Sequence, residues 1–288
     1  MTSGVFFFTA LCGTNAARQF RSGFANTLQI LLGIVVGYNT TPIQKGYNMF
    51  ALNFKQVGAK DEIDIQELFK GTGDVTTTPF LAGGIDSADN IMVWSNDGKG
   101  DGMYATYYLY DTTSTKSQYT KKRGFWVDDG GNKATKKFKN GDSLWFRRRG
   151  AETINFQTSG EVELCAISNI TIQTGYNMIG SFFPDGWKLN DAYYSPEYWQ
   201  KSGAASGGID SADNIMVWTN DGKGDGMYAT YYLYDTTSTK SQYTKKRYHW
   251  VNDAGNIESN AVMTTGKGAW YRHRGTGFTL EIKNQFKK

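Results

Sequence analysis

Between Met103 and Tyr110 the side chains sort onto two faces with a period of two. Met103, Ala105, Tyr107 and Leu109 fall on one face, and Tyr104, Thr106, Tyr108 and Tyr110 on the other. That period is a strand's, and since both faces are partly apolar it predicts a strand with one face in a core and the other under a loop or ligand. Asn90 to Trp94 reads as a shorter strand, with Ile91 and Val93 opposite Met92 and Trp94. The glycines of Asn96 to Gly102 permit positive φ, so this segment predicts a hairpin loop between the two. Gly46–Phe54, Phe125–Asp128, Ser143–Arg148 and Glu152–Thr158 predict further strands. Ser195 followed by Pro196 predicts a capped helical turn, and Asp64 to Phe69 holds the matching place upstream.

This pattern occurs twice. Residues 83–123 recur as 207–247, and over these 41 positions only Ser95 and Thr219 differ. Outside the block, Gly46-Tyr47-Asn48-Met49 matches Gly175-Tyr176-Asn177-Met178, and Gly141–Gly150 matches Gly266–Gly275. Each copy is roughly 115–130 residues, enough for its own core. The expectation is an all-β chain of two tandem β-sandwich or small-barrel domains, with one short helix each. Residues 37–160 and 161–288 are the two repeats, and residues 1–36 form a separate apolar N-terminal segment.

Composition agrees with strands. Aromatics make up 15% of the chain, with 34 glycines for turns and only four prolines. The net charge of +4 is too mild to demand a polyanion, and the isoelectric point of 8.8 is below that of a typical nucleic-acid binder, so no nucleic-acid partner is expected. The repeated Lys121-Lys122-Arg123 and Lys245-Lys246-Arg247 read as solvated charge. Residues 4–12 resemble a signal-peptide hydrophobic stretch, yet Met1-Thr2-Ser3 lacks the usual positive charge. The alternative is ordered strands. Leu28–Val36 would then supply the strand that Glu161–Ile167 supplies before the second repeat, and Val5, Phe6, Phe7, Phe8 and Leu11 would add to a sheet edge in self-association. Leu28–Val36 is nine residues and too short to span a bilayer, so no transmembrane span is expected. Cys12 and Cys165 have no zinc or redox spacing.

Three groups are candidates for chemistry. The aromatic set Trp94, Tyr104, Tyr108 and Tyr110, with Trp218, Tyr228, Tyr232 and Tyr234 in the second copy, could form platforms for sugar rings; the competing reading is that it covers the sheet. Asp97 and Asp101, with Asp221 and Asp225, match the first and fifth positions of a calcium loop, and Asp86 and Asp89 lie close in sequence. Lys99 at position three and Tyr108 at position twelve break that motif, so the turn reading leads and Ca²⁺ is the one cofactor candidate. Arg147 and Arg149 fall on the Trp145 side and are expected to stack on rings or pair with the loop aspartates. No catalytic residue is assigned: the two histidines, His249 and His273, are replaced by Phe125 and Arg148 in the first copy, and no nucleophile or metalloprotease motif occurs.

The opening strand GYNM and the closing GKGAWYRHRG resemble exported β-repeat proteins of Gram-negative bacteria, in which Gly-aromatic-Asn-apolar opens a unit and Gly-x-Gly-x-Trp-Tyr closes it. The resemblance implies a β-rich, secreted or cell-surface protein. The expected function is non-enzymatic: a structural or adhesive protein of the cell surface or an extracellular assembly, able to form filaments through its N-terminal segment. A pair of carbohydrate-binding modules for surface polysaccharide is the alternative, and a glycoside-active enzyme ranks third.

Overall fold

The computed structural model describes residues 36–58, 61–184, 187–258 and 261–284. The first unit holds β1 (Val36–Ile43), β2 (Gly46–Ala51), β3 (Glu62–Asp64), α1 (Ile65–Leu68), β4 (Asn90–Asn96), β5 (Gly102–Leu109), α2 (Ser117–Thr120), β6 (Trp126–Asp128), β7 (Lys137–Lys139), β8 (Ser143–Arg148) and β9 (Ile154–Glu161). The second repeats this order as β10 (Ile167–Ile172), β11 (Gly175–Gly180), β12 (Trp187–Lys188), α3 (Pro196–Ser202), β13 (Asn214–Asn220), β14 (Gly226–Leu233), α4 (Ser241–Thr244), β15 (Trp250–Asn252), β16 (Ala261–Met263), β17 (Gly268–His273) and β18 (Phe278–Lys283).

Each unit is built on a five-stranded antiparallel sheet, in the order β2-β8-β4-β5-β6 and β11-β17-β13-β14-β15. Two-stranded ribbons, β1-β9 with β3-β7 and β10-β18 with β12-β16, lie over one face of each. The architecture is therefore all-β and sandwich-like, with no closed barrel among the described residues. Phe69, just after α1, centres the first core. Its ring lies within 5.1–6.3 Å of Phe50, Phe80, Trp126, Phe138, Phe146 and Phe156. In the second core Trp199 of α3 does this, stacked 5.8 Å from Tyr194 and edge-on to Trp250 at 5.3 Å. The alternation predicted for Met103–Tyr110 holds: Tyr107 and Leu109 enter the core, and the opposite face turns away from it.

Two expectations change. Each unit has a second helical turn, α2 or α4, in the Ser-Gln-Tyr-Thr segment. The strand before the second GYNM is β10, not Glu161–Ile167. Glu161 ends β9, and Val162 and Leu164 pack on Phe54 of the first unit. The matching strand of the first unit is β1, downstream of Leu28–Val35, which lie outside the described residues, as do Val5, Phe6, Phe7, Phe8, Leu11 and Cys12. No helix among the described residues is long and apolar enough to cross a membrane.

Candidate functional site

The outer faces of the two five-stranded sheets meet each other. Met49, Trp145 and Trp270 are buried there, with Tyr47, Met92, Trp94, Tyr176, Met178, Met216 and Trp218 packed around them. The contacts are reciprocal. Trp94 Nε1 donates to the Tyr176 carbonyl at 2.8 Å, and Trp218 Nε1 to the Tyr47 carbonyl at 2.7 Å. Asn96 Nδ2 donates to Thr174 and Tyr176 carbonyls, and Asn220 Nδ2 to those of Lys45 and Tyr47. Trp94–Trp270 and Trp145–Trp218 are both edge-on at 5.5 Å. Equivalent residues thus make matching contacts in both directions across a pseudo-two-fold axis, the geometry of an isologous dimer within one chain.

This seam explains the opening motif residue by residue. Gly46 and Gly175 have φ of +90° and +87° and press on the hairpin loop of the other unit, where a Cβ would lie 2.4 Å from Gly224 O or 2.5 Å from Gly100 O. The tyrosine enters the seam beneath an arginine: Arg147 lies 5.0 Å over the Tyr47 ring and Arg272 lies 5.2 Å over that of Tyr176. The asparagine closes the turn before the strand, Asn48 bonding the backbone of Gln44 and Asn177 that of Gln173. The methionine fills the seam.

The predicted aromatic set is divided by this arrangement. Trp94 and Trp218 are half-buried in the seam with their N–H groups engaged by the other unit. Tyr108 and Tyr232 are buried, 8% and 9% exposed, beneath Ala88 with Val127 and Ala212 with Val251, while Tyr110 and Tyr234 pack beside them. Neither pair belongs to an open platform with Tyr104, because Ala88 or Ala212 and the neighbouring strand of their own unit pack against them. Only Tyr104 and Tyr228 remain open, 45% and 42% exposed beside the still more open Met103 and Met227. They share a cleft of about 320 Å³, lined further by Trp94, Tyr176, Met216 and Trp270. Burial on their inner side pushes both phenol pKa values up. The two copies therefore contribute to one composite cleft, where the sequence led to two separate platforms.

The aspartate loops have backbone duties. Asp97 Oδ1 accepts from Lys99 N at 2.7 Å and Asp101 N at 3.1 Å, and Asp221 does the same for Lys223 and Asp225. Asp89 lies in neither loop. It is fully buried, takes a hydrogen bond from Arg148 Nη1, and accepts from Leu81 N and Arg149 N at 2.9 and 2.7 Å. Asp86 is exposed. Among the described residues no group of three or more His, Cys, Asp or Glu side chains gathers as a metal site.

In the second unit the partner of Asp213 is a histidine. His273 Nδ1 lies 2.8 Å from Asp213 Oδ2, and its Nε2 lies 2.7 Å from the Thr276 carbonyl. Tyr271 Oη and Arg274 N also donate to Asp213. Both ring nitrogens face acceptors, an arrangement that favours the imidazolium, in which both carry protons. Burial opposes that charge, but the Asp213 and Thr276 acceptors and the Asp213 carboxylate outweigh it, and the pKa is raised. The exchange of Arg148 for His273 was visible in the sequence; that each faces an aspartate of the copied block was the missing half. In the basic clusters, Arg123 and Arg247 pair with Asp111 and Asp235, and Lys122 and Lys246 donate to the carbonyls of Gly131 and Gly255.

No protein-family model matches the chain, and neither a curated protein nor a solved structure does.

Proposed function

We propose that the chain is a non-enzymatic, exported structural or adhesive protein of the cell surface or an extracellular assembly, in keeping with its resemblance to exported β-repeat proteins. The reciprocal seam carries this reading. The tryptophans best suited to bind a ligand are spent on joining two units into one body. Tyr104 and Tyr228 at their shared cleft, and Met103 and Met227 on the opposite faces of the same strands, leave large apolar side chains in water, as contact surfaces do. The test is the native mass of the full chain over a range of concentrations, beside a Met103→Ser/Met227→Ser variant. Concentration-dependent association that the variant loses supports the reading. A monomer at every concentration that adheres to no surface polysaccharide overturns it.

The Tyr104–Tyr228 cleft favours a second reading, a carbohydrate-binding module whose one site is shared by both repeats. Retention on polysaccharide that is lost in Tyr104→Ala and Tyr228→Ala would mark this reading as the better one.

A further inference from the structure

A second, more polar groove lies along the seam, away from the Tyr104–Tyr228 cleft. It has a volume of about 120 Å³, and its walls include Thr40, Gln44, Trp218, Thr219, Thr264 and Lys267. Strands β1 and β13 and the turn before β17 bring these residues together, so both units contribute. Its asparagines are already engaged: Asn48 and Asn220 hold the strand ends of the seam. The hydroxyls of Thr40, Thr219 and Thr264, the Gln44 side-chain amide and the Lys267 ammonium have no hydrogen-bond or ion-pair partner among the described residues.

Among the described residues no carboxylate lines this groove. Lys267 is therefore a half-buried cation facing hydroxyls and amides, and burial alone lowers its pKa. A desolvated ammonium without a counter-charge is a standing electrostatic deficit that an anion relieves. The pseudo-two-fold axis supplies an internal comparison. The equivalent positions of the first unit hold Asp142 in place of Lys267, and Lys139 and Asn140 in place of Thr264 and Thr265. Asp142 there accepts from Lys139 N at 3.0 Å. At these matched positions the first unit sets a carboxylate beside a lysine where the second has Lys267 alone, so among the described residues the lone cation belongs to the second unit.

We propose that this groove binds an anionic saccharide, with its carboxylate or sulfate opposite Lys267 and its hydroxyls on the threonine and Gln44 groups. The volume equals only a few water molecules. It admits the anionic group and its neighbours, and the rest of the ligand lies along the open side. A sugar fits the donor set better than a bare anion, because four neutral hydrogen-bonding side chains stand beside a single charge.

Calorimetric titration of the full chain tests this, using glucuronate, glucose 6-sulfate, glucose and inorganic sulfate. At least one of the two anionic sugars is expected to bind, and which one does decides between carboxylate and sulfate. Neutral glucose should bind roughly 10-fold or more weakly, as loss of a charge-assisted contact requires. Lys267→Asp should weaken anionic-sugar binding by roughly 10-fold or more, and Lys267→Arg by only about threefold. Asp at the equivalent position of the first unit shows that this backbone site tolerates it, and Lys267→Met serves as a second variant should the melting temperature fall. Tyr104→Ala, which alters the other cleft, should leave this binding unchanged and so separates this proposal from the carbohydrate reading above. The proposal is overturned if neither anionic sugar binds, if Lys267→Asp and Lys267→Met bind as the parent does, if Tyr104→Ala abolishes binding, or if inorganic sulfate binds as tightly as the sugars.

Discussion

Asp89 and Asp213 are the same residue in two identical sequence blocks, yet one faces Arg148 and the other His273. Each carboxylate ties the end of a closing strand to the chain entering the copied block, through Arg149 N and Leu81 N or Arg274 N and Ala205 N. Asp89→Ala leaves Arg148 a buried, unpaired cation and should destabilise its unit by about 3–5 kcal/mol in denaturant unfolding, whereas Asp213→Ala leaves a histidine that can shed its proton and should cost less. The cations differ in pH response. An arginine guanidinium keeps its charge at any accessible pH. The His273 pKa is raised in the folded state, so its stabilisation is complete below the ordinary histidine range and fades as pH rises through that higher value. Thermal melting across pH should show the second unit weakening on the alkaline side. His273→Arg should flatten that loss, and identical profiles for parent and variant would exclude the ion pair as its source.

Elements were legible where a side-chain pattern alone decides them. β4, β5 and β8 follow from alternation, and the capped turns at Asp64 and Ser195 from their first residues. What covers each face was not legible. Tyr104 and Tyr108 share one side of β5, but the other unit and the loop at Ala88 cover different stretches of it. That depends on distant chain, which a two-residue period cannot encode. β1 was missed because Thr40, Thr41 and Pro42 break its apolar run, although its pairing with β9 is continuous from Val36 to Ile43. In the β4–β5 hairpin loop the aspartate caps its own backbone. Added calcium should therefore shift the melting temperature by no more than about two degrees; a large rise reversed by EDTA would put a metal in each loop. Gly175→Ala and Gly46→Ala impose a strained φ as well as a clash, and each should cost about 1–3 kcal/mol or more, read as earlier separation of the units on heating.

For the whole molecule, duplication set up the seam. Each unit has its own core, so cutting the chain in the Val162–Ala166 segment should leave two folded pieces. Each piece then bares Met49 and Trp145, or Met178 and Trp270, in water. Because the contacts are self-complementary, each piece should pair with its own kind. Sedimentation of either one is expected to show a dimer, and Trp94→Ala or Trp218→Ala in the respective piece should return it to a monomer. Pieces that stay monomeric in their parent form would show that the seam is too weak to act without the covalent link.

Synthesis runs in one direction, and the seam gives that fact weight. When the ribosome has finished Glu161, the first unit is complete and its partner does not yet exist. At about 5–20 residues per second, the rest of the chain takes on the order of ten seconds to emerge. Throughout that interval Met49, Tyr47 and Trp145 face the surroundings, and the nearest surface that fits them belongs to the nascent chain on the next ribosome. Slowing translation after Glu161 should raise the share of chains that leave the polysome joined in pairs.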